Sequence, residues 1–247
     1  MSYAFEESIE RLPLEVLQYI FVLSKNPDLA LVSRTFHHVA TSQTSVKTQW
    51  LMRRYNNDCE RALSRGLKWK FFNKDVLNQL DLLYSRLNGQ NTIPYASRPI
   101  PQWFFKEPDP KDKIYNLARI LLLERGASPN ESNGYPIIQS ARLGKIKMVK
   151  LLIEAGAKVD IQDNMALSVS VRQNNIEMAT LLLKHGAKPA KPILKNAIEK
   201  DFTEMIQLLI DNGADVGVDE INAMPHRPYI TEDRRINSDN NNRYIEV

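Results

Sequence analysis

Apolar residues recur along most of this chain at intervals of three and four, the spacing of amphipathic helices rather than of strands. The pattern is sharpest in the second half. Leu121-Leu122-Leu123-Glu124-Arg125-Gly126-Ala127 returns as Leu151-Leu152-Ile153-Glu154-Ala155-Gly156-Ala157, as Leu181-Leu182-Leu183-Lys184-His185-Gly186-Ala187, and as Leu208-Leu209-Ile210-Asp211-Asn212-Gly213-Ala214, at spacings of 30, 30 and 27 residues. Six of the nine glycines fall between Gly126 and Gly213, so they mark a periodic chain reversal. In each unit the apolar triplet predicts the end of a short helix. The glycine just past it predicts a left-handed residue, a conformation that costs a side chain roughly 1 kcal/mol or more. A second helical pattern precedes each triplet: Pro136 to Ala141, closed by Gly144, then Ala166 to Val171 and Ile193 to Ile198. Proline is tolerated in a first helical turn. Ser140, Ala141, Ser170 and Ala197 are small enough to let two helices approach closely.

The first 55 residues follow a different pattern. Leu12-Pro13-Leu14-Glu15-Val16-Leu17 opens a helix, with Pro13 in the first turn and Glu15 near the positive end of the helix dipole. Leu17, Ile20 and Phe21 form an apolar face; Pro27-Asp28 breaks the chain; Leu29, Val32, Phe36, Val39 and Ala40 restart it; a third helix carries Trp50 and Leu51. So small a bundle cannot hide all its apolar residues, and Leu14, Val16 and Leu31 are left over, to pack on a neighbouring segment or to meet a partner. Residues 58–88 read as two helices, Asp58–Leu67 and Asn73–Leu87, with Trp69, Phe71 and Phe72 as core rather than as a base-stacking platform. Residues 94–110 hold five of the thirteen prolines and read as an extended connector. The adjacent Trp103, Phe104 and Phe105 are too apolar for a free linker, so the connector is expected to pack down on a helix. The chain thus divides into a helical module over 8–55, a helical segment over 56–93, the connector over 94–110, repeats over 111–220 (about three full and one partial), and a polar tail over 221–247 that is expected to be poorly ordered.

Composition narrows the function. With 247 residues, 43% hydrophobic and 25% charged, the values are those of an ordinary soluble globular chain. No window approaches the roughly 18–20 apolar residues of a membrane span, and Glu6, Glu7 and Glu10 stand where a targeting peptide would be basic. The single cysteine, Cys59, excludes an internal disulfide and suits a reducing compartment. The net charge of +4 is concentrated: Lys47, Arg53, Arg54, Arg61, Arg65, Lys68, Lys70 and Lys74 face only Asp58, Glu60 and Asp75 between residues 44 and 75. Such a stretch reads as a solvated face, a site for an acidic protein or, last in order, a nucleic-acid contact. Catalytic chemistry finds no foothold. There is no Gly-rich phosphate loop, and His37-His38 lacks a third ligand at metal spacing. His185 reads as a cation at a helix C-terminus, and Cys59, near two arginines that would lower its pKa, has no nearby histidine as base. No cofactor, no metal and no catalytic residue is expected.

Two family resemblances follow from these residues. The repeated helix-turn-helix-glycine unit resembles the ankyrin repeat over about residues 111–217, most clearly where Tyr135-Pro136-Ile137-Ile138 stands for the usual Thr-Pro-Leu-His. The usual period is about 33 residues, and the missing residues fall between Ala127 and Tyr135, so the β-hairpin fingers should be short. The resemblance implies an all-α helical solenoid that binds a protein, through fingers and leading helices bearing Tyr135, Gln139, Arg142, Arg172, Lys191 and Lys195. Leu-Pro-x-Glu-Val-Leu, Ile-Phe, Leu-Ala-Leu-Val-Ser-Arg-x-Phe and Trp50 together resemble an F-box over about residues 8–54. That resemblance implies a three-helix module docking on the Skp-family adaptor, and through it a cullin, by Leu12, Pro13, Glu15, Val16, Ile20, Leu31, Val32, Arg34 and Phe36. The function so implied is a non-catalytic substrate-recognition subunit of a Skp–cullin–F-box ubiquitin ligase, cytoplasmic, nuclear or both, with an unknown protein substrate. The alternatives are an ankyrin adaptor with no ligase role and a basic nucleic-acid-binding protein.

Overall fold

A computed structural model describes residues 11–217; the predicted polar tail lies outside the described residues. Every regular element among them is helical. Two compact units divide at Ser128/Pro129.

The N-terminal unit begins with α1 (Leu14–Ser24), α2 (Leu29–Val32), α3 (Arg34–Ser42) and α4 (Thr44–Arg54). The second expected helix is divided in two: Ser33 is extended at φ −151°, and its Oγ accepts the Phe36 N–H at 3.3 Å, so it ends α2 and caps α3. α4 then carries the chain into α5 (Cys59–Gly66) and α6 (Lys74–Asn88), packing against both. Asp58 and Asn73 cap these two helices through their side chains. Trp50, Leu51, Leu63, Leu77 and Leu80 form a core with at most 1% exposure.

The proline-rich segment is not extended throughout. It contains α7 (Trp103–Lys106), and there Phe104 and Phe105 are buried while Trp103 Nε1 donates to the Leu67 carbonyl at 2.8 Å. Tyr95 is also buried, which pushes its phenol up to about 12, and its hydroxyl donates to the Pro99 carbonyl. The unit closes with α8 (Lys113–Arg119), which runs into a π-helical turn, Ile120–Glu124. There the segment pairs by backbone: Ser97 N–H donates to Gly126 O and Ser128 N–H to Arg98 O.

Among its described residues the second unit contains three helix pairs: α9 (Glu131–Arg142) with α10 (Ile146–Glu154), α11 (Ile161–Arg172) with α12 (Ile176–Lys184), and α13 (Lys191–Glu199) with α14 (Thr203–Asp211). Leading helices α9, α11 and α13 stack in succession. The sequence recurrence has a direct cause. Ala157 N–H bonds back to Leu152 O at 2.8 Å and Gly156 N–H to Ile153 O at 2.9 Å, with Gly156 at φ +89°, so leucine, glycine and alanine are the fixed positions of a Schellman cap. Gly186 and Gly213 repeat it at φ +97° and +89°. After α8 the amide of Ala127 reaches one residue further back, to Leu121, because the last turn is π.

The short fingers take a specific form. Three consecutive left-handed residues, Ser132-Asn133-Gly134 and then Gln162-Asp163-Asn164, kink the chain within the N-terminal ends of α9 and α11. Left-handed residues with a Cβ are costly, and only asparagine, aspartate and glycine adopt them readily. Bonds between successive repeats hold these turns: Gln162 Nε2 donates to Asn133 O at 2.9 Å, and Asn130 and Asn164 accept from the amides of Lys158 and Lys188 at 2.8 Å.

One period apart, Ser140 and Ser170 are both fully buried where the leading helices stack. Ser170 Oγ donates to Ala166 O at 2.8 Å, whereas Ser140 Oγ has no hydrogen-bond partner among the described residues. A buried hydroxyl without a partner costs about 1–3 kcal/mol. Ser140→Ala should therefore raise stability in urea denaturation by about 1 kcal/mol, while Ser170→Ala should lower it. Changes of the same sign for the two would remove this reading of the pair.

Candidate interaction surfaces

The N-terminal surface is built mainly on α1. Its helical register puts Leu17, Phe21 and Val22 inside and leaves Val16, Tyr19 and Leu23, spaced by three and four, on the opposite side. These are 41%, 62% and 47% exposed, so α1 is apolar on two sides and only one is covered among the described residues. Leu12 and Leu14 are exposed at its start, and Leu31 and Val32 at the end of α2 reach 80% and 57%.

Of the residues expected to face an adaptor, Leu12, Pro13, Glu15, Val16, Leu31, Val32 and Arg34 are exposed and Ile20 is half-buried. Phe36 is not at the surface. It is 4% exposed and turns inward with Val39 and Ala40, because the Ser33 cap sets the register of α3. Tyr19 and Leu23 are additions. The signal for them was the three-four spacing from Val16, masked by the stronger run that starts at Leu17.

On the repeats, Arg142, Arg172, Lys191 and Lys195 are exposed, and Tyr135 and Gln139 are half-buried. The one-period spacing of Arg142 and Arg172 has a backbone reason. Each stands at the end of a leading helix, and its carbonyl accepts from the following repeat, from Gln173 Nε2 at 2.8 Å and from Lys200 Nζ at 3.0 Å. Lys191 pairs with Asp215 at 2.9 Å.

The basic stretch is partly engaged inside its own unit. Arg61 pairs with Asp58 at 3.2 Å and Lys70 with Glu107 at 2.7 Å. Arg54 donates to the Lys25 carbonyl and lies over the rings of Trp50 and Trp69, 5.1 and 5.6 Å from their centroids. Trp69 and Phe71 are half-buried and packed around Trp50, and Phe72 is buried. Cys59 is buried beside Met52, and burial, then Asp58 and Asp81, pushes its thiol up; the sequence-based expectation of a lowered pKa is overturned. Among the described residues no group of three metal-ligating side chains occurs, and no helix is long and apolar enough to cross a membrane.

Residues 111–193 match the family model of ankyrin repeats (three copies), and residues 10–41 match that of the YDR249C N-terminal domain. The F-box resemblance of residues 8–54 has no counterpart in these matches. No curated protein and no solved structure matches the chain.

Proposed function

We propose that this protein is a non-catalytic substrate-recognition subunit of a Skp–cullin–F-box ubiquitin ligase, working in the cytoplasm, the nucleus or both. The coarser part rests on the ankyrin repeats, which are protein-interaction modules. The finer part is carried by the exposed apolar side chains of Val16, Tyr19, Leu23, Leu31 and Val32 on α1 and α2. Scattered apolar residues are normal on a surface, but a stripe at helical spacing next to two more is a partner surface in search of its partner. The sequence of these helices resembles an F-box, so the partner is a Skp-family adaptor. Function is then positional. Holding a captured protein near a ubiquitin carrier raises its effective concentration and needs no bond chemistry from this chain.

A second reading, an ankyrin adaptor with no ligase role, rests on the ankyrin repeats alone. Affinity capture separates the two. Tagged parent chain should bring down a Skp-family adaptor, a cullin and substrates, and a Val16→Asp, Leu31→Asp variant should keep the substrates while losing adaptor and cullin. Capture of substrates by both chains with no adaptor from either supports the second reading instead.

A further inference from the structure

The N-terminal unit holds a cavity that neither the apolar stripe nor the repeats use. It measures about 170 Å³ and has Leu31 and Lys47 among its lining. Its wall is aromatic. Phe21 stacks on Trp50 with ring centroids 6.0 Å apart, and Trp69 and Phe71 meet Trp50 at near right angles, at 5.3 and 5.8 Å. Packing of this kind fixes the rings before anything binds.

Three observations define what fits. The volume sets the scale: pockets for drug-sized ligands run to roughly 300–1,000 Å³, whereas an apolar cavity of about 150 Å³ holds one benzene-sized ring. One large side chain is therefore the right size. The second is an unused donor. Among the described residues Trp50 Nε1, on a ring of the cavity wall, is buried with no hydrogen-bond partner, although a buried tryptophan N–H usually has one. The third is charge. Lys47 lines the cavity and Arg54 lies over the Trp50 and Trp69 rings of its wall, and the surrounding residues 11–54 carry six basic side chains against Glu15 and Asp28, with Asp75 acting on Lys47. A partner segment seated here is selected for acidic residues.

We propose that this cavity is an anchor hole for one large apolar side chain, of phenylalanine or leucine size, carried on an acidic segment of a protein partner. The proposal rests on the reading of α1 and α2 as a docking face, since Leu31 belongs to both. It adds a preformed pocket of the kind in which a few side chains supply most of the binding energy.

The test uses the full chain and an acetylated, amidated pentapeptide, Asp-Glu-Phe-Glu-Asp. Binding is followed by tryptophan fluorescence and by the indole N–H resonance of Trp50. The peptide should bind and shift that resonance. Replacing its phenylalanine by alanine, or its acids by lysines, should weaken binding about tenfold or more. Ala30→Leu, at the cavity lining on α2, should block the peptide while leaving the melting curve in place. Lys47→Glu, which reverses a lining charge and leaves the aromatic wall in place, should weaken the acidic peptide. Equal binding of the phenylalanine and alanine peptides overturns the proposal, as does undiminished binding to Ala30→Leu. Binding that appears only after removal of residues 1–10 assigns the cavity to the chain's own segment and also overturns it. Adaptor capture is read separately: if the adaptor binds and the peptide does not, the anchor hole falls and the docking face stands.

Discussion

Asp81→Ala should cost about 4–8 kcal/mol and leave the N-terminal unit at the edge of unfolding. Asp81 and Arg125 form an ion pair whose side chains are only 13% and 6% exposed. The carboxylate has a second task, accepting the Ile93 N–H at 3.0 Å, and the guanidinium donates to the Ile93 carbonyl at 3.2 Å. One pair therefore ties α6, the segment ahead of the prolines and the end of the first repeat helix. Removing the carboxylate strands a buried cation, which costs about 3–5 kcal/mol. The unpaired Ile93 amide adds about 1–3 kcal/mol. A domain holds only about 5–15 kcal/mol in total. Asp81→Leu with Arg125→Met should recover part of the loss, because neither charge is then stranded. Urea denaturation followed by circular dichroism measures both. A loss below about 1 kcal/mol for Asp81→Ala would show that the pair is solvated in solution.

The second large effect is expected at Gly134. At φ +75° any side chain is strained, and an added Cβ would lie 2.3 Å from Ile161 Cγ2 and 3.3 Å from Ile161 Cβ. Rotating the isoleucine cannot clear a contact so close to its own Cβ. Backbone strain of about 1–2 kcal/mol and overpacking of about 1–3 kcal/mol add to a loss of about 2–5 kcal/mol for Gly134→Ala. Gly156 is the control. Its φ is +89°, yet nothing lies within 4 Å of an added Cβ, so Gly156→Ala pays the strain alone. Because each repeat leans on its neighbours, the Gly134→Ala loss should appear as earlier melting of the adjoining repeats as well. Ile161→Ala should be less than additive with Gly134→Ala. Equal costs at the two glycines would show that Ile161 moves aside freely.

The repeats were legible because their signal is local. Leucine, glycine and alanine in fixed order are the positions of one helix cap, and each cap is satisfied within seven residues. The break at Ser33 was local too, but a serine between Val32 and Arg34 reads equally well as a helix interior, and only the extended φ distinguishes the two. Phe36 shows where resemblance and periodicity diverged. The family pattern placed it outward with Arg34, whereas its spacing to Val39 and Ala40 already placed it inward, and burial of a large ring prevailed. The left-handed turns at Ser132 and Gln162 were beyond reading, because serine and glutamine carry no preference for that conformation. They persist through bonds to the neighbouring repeat. Asp81 and Arg125, 44 residues apart, looked like two surface charges; only the fold brings them together. The aromatic cluster was legible as core, but its cavity was not, since a void is a property of packing rather than of any residue.

The central claim is that α1 and α2 dock a Skp-family adaptor, and binary titration calorimetry of the purified full chain against purified adaptor tests it most directly. The account predicts saturable one-to-one binding that weakens about 100-fold when Val16 and Leu31 are both replaced by aspartate, with the melting curve unchanged, as expected for removing two large apolar contacts worth about 1.5–3 kcal/mol each. No binding by the parent chain, or equal binding by parent and variant, would contradict it.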